Sequence, residues 1–350
     1  MTSAHDTNVS KILKLDFNES QFGTSPLAVK AMQEASATSN LYPEPFSATL
    51  RAKLGEKYGF GDEGQKHVVA HAGASGIISI LRSAFLSPGD EVVTCVPTFE
   101  AYAGVARAAG AKLVSLPVTK DQTFDLDAMA AAITDKTRLV CICNPNNPTA
   151  TVLERDAMLS FVKSLPPRVI TVVDEAYIEL ADDPDALTML PAVHEGLPVV
   201  VVRTFSKLYG MAGARVGYAV STEELTESLS DVLPVFAVSR AAQAGAVAAL
   251  EDDAFAVATR KAVAESRAFV TSELTKLGWD VYPSQTNFVY ADSHLNTAAL
   301  AAALRERGIL IRGNYEFSRI TLGTLEQDRR LVDTIRDVVG KGEVPARAAE

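Results

Sequence analysis

Cysteine is scarce in this chain. Its 350 residues contain three, Cys95, Cys141 and Cys143, all inside apolar runs. Cys141 and Cys143 are spaced to share one face of a strand, but there is no second pair to complete a zinc site, and an odd count gives no disulfide framework. Buried thiols in a reducing compartment are expected. Histidine is also sparse, five residues without ligand spacing, so no metal is expected. No apolar stretch approaches the roughly 20 residues that span a bilayer. The segment MTSAHDTNVSK has no signal-peptide core. A cytoplasmic location without a membrane partner is the expectation. Positive charge is in deficit as well, with 33 Lys and Arg against 43 Asp and Glu and a net charge of -10. That balance offers no cationic footprint for a phosphate backbone and argues against nucleic acid as a partner. A small anion is not excluded, because single arginines and helix N-termini bind one locally.

What is present is an ordinary globular composition, 47% hydrophobic and 22% charged. From about residue 67 to 221 short apolar runs alternate with helical stretches: HVVAHA, EVVTCV, AKLVSLPV, RLVCIC, VITVVDE, PVVVVRTFS and RVGYAVS. Several runs are apolar throughout, the pattern of strands covered on both faces. The intervening SGIISILRSAF and LERDAMLSFVKSL carry apolar residues three and four apart, with a Pro or Gly stop beyond. The expected class is α/β, a mostly parallel seven-stranded sheet with helices on both faces. Near residue 235 the texture changes. An Ala-rich helical segment, the short strands TNFVY, GILIR and SRITLG, and a closing helix predict a smaller α+β domain. The division reads as 1–44, an N-terminal arm and part of the small domain; 45–235, the large domain; and 236–345, the small C-terminal domain. The last residues, KGEVPARAAE, read as a frayed tail.

In an open α/β sheet ligands gather outside the carboxyl ends of the strands. VITVV delivers Asp174 and then Tyr177, RLVCIC runs into Asn144-Pro145-Asn146-Asn147-Pro148-Thr149, and VVVV ends in Arg203-Thr204-Phe205-Ser206-Lys207. Taken singly these are bland: a strand-end Asp is usually a cap, and a lone lysine usually belongs to the surface. Together they place a carboxylate, an amide, a phenol and an amine at one crevice. A pyridoxal cofactor needs this set: an amine to attach it, a carboxylate to keep its pyridine nitrogen protonated, and a helix terminus to bind its phosphate.

Several ordered motifs carry a family resemblance: NES-FG-SP at 18–26, YPEP at 42–45, PTFEAY at 97–102, CNPNNPT at 143–149, VVDEAY at 172–177, TFSKLYGMAGARVGY at 204–218 and RITLGT at 319–324. Through them the chain resembles the class I/II aminotransferases of the fold-type I pyridoxal 5'-phosphate enzymes, and within these the histidinol-phosphate aminotransferase branch. The resemblance implies that Lys207 carries the cofactor covalently and later acts as the base at the substrate Cα. Asp174 would pair with the pyridine nitrogen, and Tyr177 and Asn147 would bond the ring's phenolic oxygen. Thr204, Ser206 and Arg215 would form the phosphate cup, completed by the turn Gly73-Ala74-Ser75 that opens a helix. Phe99 would stack on the ring. Tyr42 would reach the cofactor phosphate of a neighbouring subunit, which implies a homodimer with shared active sites. Arg319 would clamp the substrate's carboxylate or phosphate, and Arg312 stands where the branch has an arginine for a substrate phosphate. The partners so implied are an amino donor and a 2-oxo acid.

Departures from the family pattern fall on the substrate side. NENPYG is here NESQFG, so Phe22 stands where the branch often has tyrosine and a hydroxyl near the substrate is lost. Ala74-Ser75 replaces acidic residues, PVFAVS replaces PFNVN, and NPNNPTG ends in Ala150. Arginines at both 312 and 319 favour a substrate with two anionic ends, whereas Phe22 favours an aromatic or apolar side chain. Two substrate readings follow: histidinol phosphate with 2-oxoglutarate, hence histidine biosynthesis, or an aromatic amino acid such as phenylalanine or tyrosine. An amino-acid-phosphate decarboxylase on the same fold would release carbon dioxide without needing a 2-oxo acid. A non-enzymatic ligand-binding module would show no cofactor reducible onto Lys207 by borohydride.

Overall fold

In the computed structural model, which describes residues 12–347, the seven apolar runs become strands of one sheet. With β1 (Leu13–Leu15) lying elsewhere, they are β2 (Val68–His71), β3 (Glu91–Val96), β4 (Lys112–Pro117), β5 (Thr137–Cys143), β6 (Ile170–Asp174), β7 (Val199–Thr204) and β8 (Gly217–Ser221). Their spatial order is β2-β8-β7-β6-β5-β3-β4. The block from β7 to β4 is parallel, and β8 runs antiparallel to both β7 and β2. The centre is dry on both faces, with Val199 to Val202 and Val172 to Val173 fully buried, which is why these runs carry no alternation. Register places Cys143 opposite Asp174 and Asp174 opposite Val202, so the polar ends of β5, β6 and β7 emerge side by side. The first helix after β2, Ala74–Phe85, buries Ile77, Ile78, Ile80 and Leu81 against the sheet.

One close approach is needed to bring that helix start to the strand ends. A Cβ on Gly217 would lie 2.4 Å from the Ala74 nitrogen and 2.6 Å from the Gly73 carbonyl carbon. Only glycine fits, because both neighbours are backbone.

Beyond residue 236 the small strands divide between two sheets. β9 (Asp280–Val281), β10 (Phe288–Asp292) and β12 (Ser318–Thr321) form an antiparallel sheet in the order β12-β10-β9. β11 (Ile309–Ile311) instead pairs in parallel with β1. The expected frayed tail is corrected up to residue 347. Asn296 N–H donates to the Pro345 carbonyl at 2.9 Å, Arg347 N–H donates to the His294 carbonyl at 2.9 Å, and the Arg347 guanidinium holds both oxygens of Asp292 at 3.0 and 2.8 Å. Backbone hydrogen bonds, ion pairs at Glu343 and Arg347, and the buried side chain of Val344 tie the segment down. The ends of the expected arm and tail, residues 1–11 and 348–350, lie outside the described residues. All three cysteines are buried and free, and among the described residues no helix is long and apolar enough to cross a membrane.

Candidate active site

The ends of β5, β6 and β7 open into a cavity of about 480 Å³, closed on its other side by residues 17–19 and by Arg312, Tyr315 and Arg319. Asp174, the last residue of β6, is 2% exposed at its floor. Tyr102 Oη donates to its Oδ2 at 2.9 Å and the Ala176 N–H donates to its Oδ1 at 3.1 Å. Burial pushes this carboxyl up to about 6, against the pull of those two hydrogen bonds and of the nearby Lys207 charge. Lys207 follows β7, and its Nζ donates to the Asn18 carbonyl at 2.8 Å and sits 5.1 Å from the centre of the Tyr177 ring. Burial pushes the amine down to about 7, helped by the charges of Arg319 and Arg215 and opposed by Glu19 and Asp174. Tyr177 Oη accepts from Asn18 Nδ2 at 3.0 Å. Burial raises the phenol well above its ordinary value, while Arg319 pulls it back.

The opposite corner suits an anion. Thr204 Oγ1 donates to Ser206 Oγ at 2.8 Å and accepts from the Ser206 N–H at 3.2 Å. Ala74 and Ser75 line the cavity at the start of their helix, where free N–H groups face outward. Arg215 has φ +57° and donates from Nη1 to the Ala212 carbonyl at 2.9 Å. Its guanidinium lies so close over Gly73 that a Cβ there would be 2.6 Å from Nη2. Gly73 is therefore the seat of Arg215 and does not itself line the cavity. Phe99 lines it and meets Tyr102 edge to face at 6.1 Å.

On the substrate side, Arg319 is 4% exposed. Nη1 donates to Asn147 Oδ1 at 2.6 Å and Nη2 donates to the Asp16 carbonyl at 2.5 Å. Two carbonyl oxygens thus fix the guanidinium plane, and each Nη keeps a second N–H for an anion. The Nε atoms of Arg319 and of Arg312, its antiparallel bridge partner, are buried without a hydrogen-bond partner.

Most of the residues singled out from sequence line this cavity, and Gly73 seats one of them. Two stand apart. Phe22 is placed on the substrate side by the motif comparison, but it packs against the core and is absent from the cavity lining. Its neighbour Gly23 approaches Gly210 backbone to backbone, where a Cβ on Gly210 would meet the Gly23 carbonyl oxygen. Tyr42 is 78% exposed and stacks on Phe236 at 4.7 Å, also outside the cavity. Sequence reasoning gave no role to Phe17, Asn18, Tyr102 or Tyr315. Asn18 had a usable signal: it lies in NES, has φ +54°, and ties Lys207, Tyr177, Thr321 and Asn287 together, and asparagine tolerates that backbone well. Also unforeseen is the buried pair next to Asp174 and Thr204 in sequence. Arg203 Nε and Nη2 donate to Glu175 Oε2 at 3.0 and 2.8 Å and tie the ends of β6 and β7 together.

A buried carboxylate, a low-pKa amine and a cationic corner at a helix start fit pyridoxal 5'-phosphate in kind and in arrangement. One pH dependence follows. The amine condenses with an aldehyde only when neutral, so capture of the cofactor by ligand-free protein is expected to slow about tenfold per unit below pH 7 and to level off above it. Stopped-flow absorbance measures this; a rate still climbing steeply at pH 9 contradicts the lowered amine.

Residues 10–335 match the profile of the family described as Aminotransferase class I and II. The chain is 36% identical to the histidinol-phosphate aminotransferase of Moorella thermoacetica, covering 95% of this chain and 87% of the relative. It is 39% identical to the aromatic amino acid aminotransferase of Rhodococcus jostii, covering 90% and 87%. Among solved structures, histidinol-phosphate aminotransferase from Sinorhizobium meliloti in complex with pyridoxal-5'-phosphate superposes with a TM-score of 0.88 at 28% identity, covering 95% and 92%.

Proposed function

We propose a substrate from one premise: the chain belongs to the class I and II aminotransferases and is a pyridoxal 5'-phosphate-dependent transaminating enzyme. The reading is transfer of the amino group of L-histidinol phosphate to 2-oxoglutarate. The observation that carries it is the pair Arg312 and Arg319, two guanidiniums on one cavity wall, each with a buried, unpaired Nε. Histidinol phosphate presents a dianion beside its Cα, and 2-oxoglutarate presents two carboxylates. Two adjacent arginines serve the first as a fork and the second end by end. The names of relatives such as the Moorella enzyme support this reading. A second reading, an aromatic amino acid as donor, is favoured by the rings of Phe17 and Tyr315 on the same wall and by the Rhodococcus relative. Purified enzyme offered histidinol phosphate, phenylalanine and tyrosine, each with 2-oxoglutarate, separates them. Turnover of phenylalanine without turnover of histidinol phosphate overturns the first.

In this reading Thr204, Ser206, Arg215 and the N–H groups of Ala74 and Ser75 hold the cofactor phosphate, Phe99 covers the ring face, and Tyr177 and Asn147 bond the ring oxygen. When bound, the cofactor supplies an electron sink for the bond broken at the donor's Cα. Asp174, ionised, keeps the pyridine nitrogen protonated. Lys207 would hold the cofactor, and its neutral Nζ, once free, would take the Cα proton. Arg319 fixes the donor's anionic group, so that this proton faces Nζ.

The proposed assembly is a homodimer in which Tyr42 reaches the partner's cofactor phosphate. Support comes from a contiguous exposed apolar patch: Leu41, Tyr42, Phe46, Val235 and Phe236. The Phe46 N–H donates to the Val235 carbonyl at 2.8 Å, which joins its two segments. Such patches mark interfaces. Sedimentation is expected to give a dimer for the wild type and a shift toward monomer for Phe236→Asp; a monomeric wild type contradicts the assembly. The proposed compartment is the cytoplasm, in keeping with three unpaired thiols.

A further inference from the structure

Phe17 has no counterpart in the cofactor or anion roles described above, yet its ring lines the cavity while remaining 60% exposed. Its position is not free to vary. The carbonyl before it, on Asp16, accepts from Arg319 Nη2 at 2.5 Å, and the carbonyl of the next residue, Asn18, accepts from Lys207 Nζ at 2.8 Å. The backbone around residue 17 is therefore pinned between the group that takes the donor's anion and the group that takes its Cα proton. With a donor's anion held by Arg319, its Cα proton turned to Lys207 Nζ and its nitrogen turned to the cofactor, the fourth substituent, the side chain, is left to face the wall that carries Phe17. There the Phe17 ring lies 4.8 Å from the Arg312 guanidinium carbon, and Tyr315 lines the same wall with its ring 5.6 Å from the Arg319 guanidinium. Arg312 Nε is buried and unpaired beneath this contact. A phenylalanine this exposed, at the entrance to a site, gains free energy when a planar group covers it.

We propose that Phe17 is a specificity-determining residue: its ring, backed by the Arg312 guanidinium, forms the wall on which the planar side chain of the amino donor stacks. This rests on the reading of Lys207 as the base at Cα and of Arg319 as the anion anchor, and it applies equally to an imidazole or a phenyl side chain. A donor without a ring, such as glutamate, passes the same wall without using it. Phe17 thus separates the two half-reactions, serving the ring-bearing substrate and not the dicarboxylate.

The test is binding of two unreactive acids to cofactor-loaded enzyme, followed by calorimetry: 3-phenylpropionate, which carries a ring and one carboxylate, and glutarate, which carries two carboxylates and no ring. Phe17→Ala is expected to weaken 3-phenylpropionate about tenfold and to leave glutarate within twofold or tighter. Phe17→Tyr, which keeps the ring, is expected to stay near wild type for both. Equal weakening of the two acids shows a structural role and overturns the proposal, as does an unchanged affinity for 3-phenylpropionate. The assay needs no turnover, so failure of histidinol phosphate as a substrate in the donor panel does not bear on the Phe17 result.

Discussion

Lys207→Ala is expected to lower kcat by about 10⁴-fold or more, because one substitution removes both the covalent anchor and the base at Cα. Cofactor is expected to remain bound through the phosphate corner, since Thr204, Ser206 and Arg215 do not depend on the lysine for their own hydrogen bonds. Retained turnover within a hundredfold of wild type would place the base elsewhere. The same residue carries a second, less obvious expectation about stability. Its folded value of about 7 lies below the ordinary 10.5. Between those values the unfolded chain binds more protons than the folded one, so stability of the ligand-free protein rises with pH across that window. Replacing the lysine with methionine removes the cost of desolvating an ammonium. Ligand-free Lys207→Met is therefore expected to be more stable than wild type at pH 7, by on the order of a few kcal/mol. The gain fades as pH approaches 10.5. Denaturant titrations at pH 7 and pH 10 measure the difference; a variant less stable than wild type at pH 7 contradicts it. The role proposed for the lysine thus comes at the expense of stability, a common trade at active sites.

Asp174→Asn is expected to lower kcat by about 10³-fold, with weaker cofactor binding. An amide fills the same space and retains a partner for Tyr102 Oη, but it supplies no negative charge to hold a proton on the pyridine nitrogen. In the ligand-free protein burial holds this carboxyl near 6, so it is ionised at neutral pH, and a neighbouring pyridinium favours that charge further. Because the substitution is nearly isosteric, a folded variant with near-normal kcat would remove Asp174 from the mechanism. Its thermal transition and near-ultraviolet circular dichroism report the fold independently.

Asp174 and Lys207 were legible in the sequence for a local reason. Each closely follows a run of buried valines, and a strand's end is marked where apolar residues give way to polar ones. The parallel arrangement of those runs was legible too, because strands covered on both faces cannot alternate. Pairing between distant segments was not. Leu13–Leu15 lies nearly a chain length from its partner Ile309–Ile311, and three residues of LKL carry no signal for a partner. The same holds for Phe17 and Tyr315. Neither Phe17, just outside the NES motif, nor Tyr315 within GNYEFS carries a local signal of its own, and both rings reach the cavity through the backbone at Asn18 and at the Arg312–Arg319 bridge. Phe22 shows the converse case: the motif comparison points it at the substrate, and the fold packs it half-buried against the core, outside the cavity lining.

Sequence alone determined the α/β class, the run of strand ends and the residue types of the amine, the carboxylate and the proposed phosphate-binding groups. All of these depend on residue type and on spacing within one element or its adjoining turn. Tertiary structure decided which groups share a cavity with them, which arginine atoms are left unpaired, and which aromatic rings line its wall. Those depend on burial and on contacts between residues hundreds of positions apart, and only the folded backbone brings such residues together.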